Sequence, residues 1–174
     1  MAKDSGVDVI VRSEISASKG QPLNVIFEFA NGIDATHVMW VNMCSPFVRN
    51  NTIIRAARTF LGSQNIESLT AVKRVNSFVW DASGVRVNDS EKFRTDAASP
   101  VFVCTHAFHI WNRERMLEKS EPWGQTSVND PYLFEIDDPI ETLDIDTERD
   151  LAIAQSVGKA LYGCLDPEEI GGPV

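Results

Sequence analysis

The stretch HVMWVNMCSPFVRNNTIIRAARTFLG, residues 37–62, decides how this chain folds. Residues 37–43 form a nearly continuous apolar run of strand length. It ends in the turn-prone CSPFVRNN, the pattern of a strand buried on both faces in the middle of a parallel sheet. After the turn, Ile53, Ile54, Ala57, Phe60 and Leu61 recur at helical spacing. Asn51 or Thr52 offers an N-cap and Gly62 a stop. A strand, a turn and a helix in direct succession form the repeating unit of an α/β protein.

The same alternation extends on both sides. VDVIVR (7–12) reads as a strand and PLNVIFEFANG (22–32) as a helix, with Pro22 in its first turn and Gly32 at its stop. Downstream, LTAVKRV (69–75) is a strand and FVWDASGVRV (78–87) a hairpin turning at DASG. VFVCTHAFHIW (101–111) is a strand or strand pair, and the following NRERMLEK (112–119) a short helix. YLFEID (132–137) and ETLDID (141–146) read as short strands. TERDLAIAQSVGKALYG (147–163) is a last helix with Leu151, Ala154, Val157 and Leu161 on one face. The expectation is a single α/β domain over 1–174 with a mixed, mostly parallel sheet and a hairpin-rich insertion at about 76–110.

Composition agrees with a globular domain: 174 residues, 43% hydrophobic, are enough to bury a core. Sixteen Lys and Arg against 25 Asp and Glu give a formal charge of −9, which excludes a protein that grips nucleic acid through its phosphates. Any phosphate-bearing ligand must then be drawn in by local basic groups or a metal. No stretch approaches the roughly 20 apolar residues a bilayer span needs, and MAKDSGVDVIVRSE lacks an apolar signal core. The chain is expected to be cytoplasmic, with neither nucleic acid nor membrane as partner. Cys44, Cys104 and Cys164 are widely separated, so free thiols are expected rather than a disulfide framework or a CxxC zinc site.

The acidic stretch ETLDIDTERD (141–150) admits two readings. Asp144 and Asp146, two apart on an extended segment, project to one side and can converge on a hard cation such as Mg²⁺. Equally, Asp146 or Thr147 can cap the last helix, and Thr147 with Asp150 fits a capping box. Spacing alone leaves both open, and they are compatible. His106 and His109, three apart, fall on opposite faces of a regular strand, so they read as hydrogen-bonded histidines and not as a metal pair. Lys73, Arg74, Lys92 and Arg94 read as a solvated face flanking the insertion, and Trp40 as core.

IETLDIDTERDLAIAQ (140–155) resembles the C-terminal signature of the acylneuraminate (CMP-sialic acid) cytidylyltransferases. GVDVIVRSEISA (6–17), VMWVNMCSPFVRNNTIIRAA (38–57) and VFVCTHAFHIWNRERM (101–116) resemble further blocks of that family, in the family's order. The resemblance implies a three-layer, nucleotide-diphospho-sugar transferase-like (Rossmann-like) fold. It implies a reaction in which the anomeric hydroxyl of a sialic-acid-like 2-keto sugar acid attacks the α-phosphorus of CTP, giving a CMP-sugar and pyrophosphate. By the same resemblance, Asp144 and Asp146 hold Mg²⁺ and act catalytically. Arg12, Asn42 and Ser45 face the nucleotide, His106 and Arg94 face the sugar, and the 76–110 insertion makes a homodimer. The sequence departs from the family in lacking its Gly/Arg/Lys-rich, CTP-cradling loop. It is therefore expected to be N-terminally truncated relative to the family, and the isolated chain to be either inactive alone or a non-catalytic dimeric scaffold of the same fold.

Overall fold

A computed structural model describes residues 6–89, 94–124 and 127–163. In chain order the elements are α1 (Glu14–Ala17), α2 (Leu23–Ile26), β1 (His37–Val41), α3 (Asn50–Leu61), β2 (Leu69–Val75), β3 (Val101–Asn112), α4 (Arg113–Lys119), β4 (Tyr132–Glu135) and α5 (Glu148–Tyr162). Single 3-10 turns lie at Glu28–Gly32, Thr95–Ala97 and Pro139–Thr142. The sheet has four strands in the order β1-β3-β2-β4. β1 runs antiparallel to β3, pairing His37 with Asn112 through to Val41 with Phe108. Tyr132 N donates to Ser68 O and Ile136 N to Val72 O, the same offset twice, so β4 runs parallel to β2. The result is the mixed α/β architecture expected from the sequence.

Four elements differ from the reading of the sequence. The helix expected over 22–32 is the four-residue α2 followed, after Phe27, by the 3-10 stretch Glu28–Gly32. VDVIVR forms no strand: residues 7–12 have no regular secondary structure, and Val11 is 88% exposed. β-branched residues favour a strand only where a partner edge and a face to bury exist. β1, expected in the middle of a parallel sheet, lies at the end of the strand order, antiparallel to its neighbour, with residues 37–40 only half-buried. ETLDID is not a strand either. Asp138 caps a 3-10 turn by accepting from Ile140 N at 3.0 Å, and Pro139, with its fixed φ and no N–H, starts it.

The chain divides into two compact units. One comprises the described residues up to 41 with 54–70 and 108–134. Its core gathers Phe27, Trp111 and Met116, with Leu23, Ile26, Phe29, Val38 and Trp40 packed on them. Phe27 meets Trp111 and Trp40 edge-on at 5.0 and 5.8 Å between ring centroids, the arrangement the aromatic quadrupole favours. The same unit holds a buried ion pair. Asp130, 2% exposed, accepts from Arg115 Nη1 and Nη2 at 2.7 and 2.9 Å and from Ser68 Oγ at 2.5 Å. Gly124 lies so close that a Cβ there would stand 1.9 Å from Asp130 Oδ2.

The other unit comprises 42–53, 71–107 and the described residues from 135. The expected hairpin is present, with Trp80 bridged to Arg86 and the Asp81 carboxylate accepting from Ser83 N and Val85 N across the turn. Buried Asn88 closes its base, donating to Ser77 O and Ser99 O, both at 2.7 Å, and accepting from Val79 N. α5 also belongs here, with Ala154 the buried residue on a face whose Leu151 and Leu161 remain exposed.

Candidate functional site

In the second unit two segments carrying sequence-predicted residues come together. The first is the turn after β1. Asn42 N donates to Ala107 O at 2.9 Å, and Asn42 Oδ1 then accepts from Cys44 N at 3.1 Å, folding the chain back through CSPF. Ser45 N donates to Asn42 O. Ser45 is 6% exposed, and its Oγ has no hydrogen-bond partner among the described residues. A buried hydroxyl without a partner forfeits a bond that water or ligand would otherwise supply.

The second segment is 138–150. It is tied to the turn twice: Ile145 N donates to Cys44 O at 2.9 Å, and Arg49 N donates to Glu141 Oε2 at 2.9 Å. The Arg49 guanidinium also reaches Asp138 and, at 3.6 Å, Glu141 Oε1. Beyond Ile145 the capping box forms as expected. Thr147 Oγ1 accepts from Asp150 N at 3.3 Å, and Asp150 Oδ2 accepts from Thr147 N at 2.9 Å. The hydrogen bonds from the Thr147 side chain, then its backbone, hold the Asp150 carboxyl below its usual range. Capping thus occupies Thr147 and Asp150. Asp144 is half-buried, its Oδ1 accepting from Ile145 N at 3.1 Å, and Asp146 is exposed. Both lie outside the helix, on the segment that follows Leu143, whose backbone is extended.

Asp144 and Asp146 supply oxygen, the donor type a hard cation such as Mg²⁺ takes, from a segment bonded to the turn that carries the orphaned Ser45 hydroxyl. The remaining predicted residues are placed differently. Exposed Arg12 is bound to the helix that follows it, α1, Nε donating to Ser16 Oγ at 3.2 Å and Nη2 to Ser16 O. Exposed Arg94 is paired with Asp96, Nε donating to Oδ1 at 2.9 Å. Lys92 lies outside the described residues, as does Cys164. His106 is exposed on β3 with a φ of 54°, in the left-handed region. That residue breaks the alternation of the strand, so His106 and His109 do not fall on opposite faces as regular spacing predicts.

A cleft of about 500 Å³ in the first unit contains none of the predicted residues; His37, Glu67, Asn112, Glu114, Arg115 and Lys119 line it. His37 is pushed below its ordinary value by burial and by the Arg115 charge, so it is a neutral imidazole at pH 7. Glu67, Glu114 and Glu118 outnumber the two cations there, Arg115 and Lys119, so the lining is net acidic.

No family model matches the chain, and no curated protein matches it. Among solved structures, the fold is similar to that of 4-diphosphocytidyl-2C-methyl-D-erythritol synthase from Anaerococcus prevotii, with a TM-score of 0.51 at 11% identity. The match covers 76% of this chain and 64% of that one. At this identity the likeness bears on fold alone, and agrees with the mixed α/β architecture described above.

Proposed function

We propose that the chain belongs to a cytidylyltransferase that moves CMP from CTP to a sialic-acid-like 2-keto sugar acid, releasing pyrophosphate. The observation that carries this reading is the double tie between the 42–49 turn and the 138–146 segment, which holds Asn42, Ser45, Asp144 and Asp146 on neighbouring backbone. The fold likeness adds support, since that neighbour's name describes a diphosphocytidyl product.

In such a transfer the enzyme aligns nucleophile and phosphorus and stabilises the growing charge. Asp144 and Asp146 are the residues that would hold Mg²⁺, and that ion would supply charge neutralisation at the phosphate oxygens. The buried Ser45 hydroxyl gains a partner when a ligand oxygen reaches the turn. Asn42 fixes that turn by its side chain, so its role is positioning. Arg12 and Arg94 must release Ser16 and Asp96 to reach a nucleotide or a sugar carboxylate. Those engagements favour a second reading, a non-catalytic dimeric scaffold of the same fold.

The test incubates the protein with CTP, Mg²⁺ and a panel of sialic, legionaminic, pseudaminic and 3-deoxy-octulosonic acids and measures pyrophosphate. Turnover that drops at least a hundredfold in Asp144→Ala and Asp146→Ala supports the transferase. Turnover indifferent to both removes the metal assignment. Saturable CTP binding without turnover leaves the scaffold.

A further inference from the structure

The left-handed His106 gathers three side chains that the sequence reading kept apart. One ligand atom each from Cys104, His106 and His109 lies within 4.8 Å of the other two. All three come from a single stretch of β3, 104–109, so their spacing follows from that strand's own backbone. A regular strand would send positions 106 and 109 to opposite faces, and the φ of 54° at His106 cancels the extra residue. We propose that this stretch of β3 is a transition-metal site taking Zn²⁺ through one thiolate and two imidazoles. It uses neither of the oxygen donors Asp144 and Asp146 and does not rest on the nucleotidyl-transfer reading.

The donor set selects the ion. Sulfur and imidazole nitrogen suit Zn²⁺ and discriminate against Mg²⁺, which demands oxygen. Bond lengths of about 2.3 Å to sulfur and about 2.0 Å to nitrogen bring tetrahedral ligands to within 4 Å of each other, a small contraction from the present spacing. His109 is already oriented: it is buried, stacked on Trp40 at 5.5 Å and 7°, with Nδ1 2.8 Å from Thr70 Oγ1. A hydrogen bond at Nδ1 is the kind of second contact that orients an imidazole whose Nε2 takes a metal. Cys104 forms no disulfide and is half-buried, while His106 is exposed, so the site opens to solvent on the side of His106. Three protein ligands leave a fourth position for water, as catalytic zinc sites do. On binding, Cys104 gives its thiol proton to solvent and its sulfur pair to the metal, so affinity rises with pH.

Titration with Co²⁺ followed by competition with Zn²⁺ tests the site, since cobalt reports its ligands in its absorption. The whole chain is expected to bind one equivalent with a thiolate-to-cobalt charge-transfer band and tetrahedral visible bands, both displaced by Zn²⁺. Cys104→Ser should abolish the charge-transfer band, His106→Ala should weaken binding by roughly tenfold or more, and Cys44→Ser should leave the band intact. Circular dichroism of each variant verifies that it is folded; His109 is left in place because its burial would make its replacement a test of packing. A wild-type chain with no charge-transfer band, or Cys104→Ser with the full band, overturns the proposal.

Discussion

Asp130 shows how a single buried carboxylate sets an acid limit on the fold. Burial pushes its carboxyl up, but hydrogen bonds from Arg115, Ser68 and the Gly124 backbone prevail and bring it down to about 2 from 3.8. A folded-state value below the unfolded one means the pair contributes stability above about pH 4 and loses it as pH falls toward 2, a change of about 2 kcal/mol. Asp130→Asn should therefore flatten the acid limb of the stability curve. At pH 7 it should cost about 3 kcal/mol, because the half-buried Arg115 loses its bidentate counter-charge; urea unfolding at both pH values measures this. Gly124→Ala should be similarly harmful, since a methyl group cannot share space with Asp130 Oδ2 at 1.9 Å. None of this network could be read from the sequence. Ser68, Arg115, Gly124 and Asp130 carry no local pattern, and only tertiary closure joins them. His106 was equally opaque, for no sequence rule assigns a left-handed φ to a histidine within a strand.

At the scale of elements, what was legible followed periodicity. α3, β2, β3, α4, β4 and α5 all occur where apolar spacing or strand length placed them, and the capping box at Thr147 formed as its residues predicted. Such signals are local, and local energetics enforce them. What failed was pairing: VDVIVR has a strand's composition and, among the described residues, no strand paired with it, and nothing within HVMWVNM states which neighbour it takes or in which direction. The candidate site shows the same division, since the capping box was legible whereas the hydrogen bonds joining residues 44–49 to 141–145 were not. Thr147→Ala should fray the start of α5 and cost about 1 kcal/mol, with helicity and thermal midpoint measured together by circular dichroism. In the hydrophobic core, Met116→Ala should cost about 2–5 kcal/mol, read from chemical unfolding, because Met116 is buried against Phe27 and Trp111.

For the molecule as a whole, charge sets the company it keeps. With a net charge of −9 and a pI near 4.8, the protein should pass through heparin at physiological salt and leave a duplex DNA probe unshifted in a mobility assay. Any affinity for CTP should then depend on divalent cation, a requirement that chelation by EDTA exposes in a calorimetric titration. The order in which the chain visits its two units bears on genetics. The polypeptide passes from one unit to the other at 41/42, 53/54, 70/71, 107/108 and 134/135. Neither unit is therefore a contiguous piece of gene. A stop codon after Ala107 would strip residues from both at once, so truncated products should be degraded or insoluble instead of behaving as half-proteins. A two-fragment complementation screen would have to restore both units in the same event, which makes rejoining all-or-none.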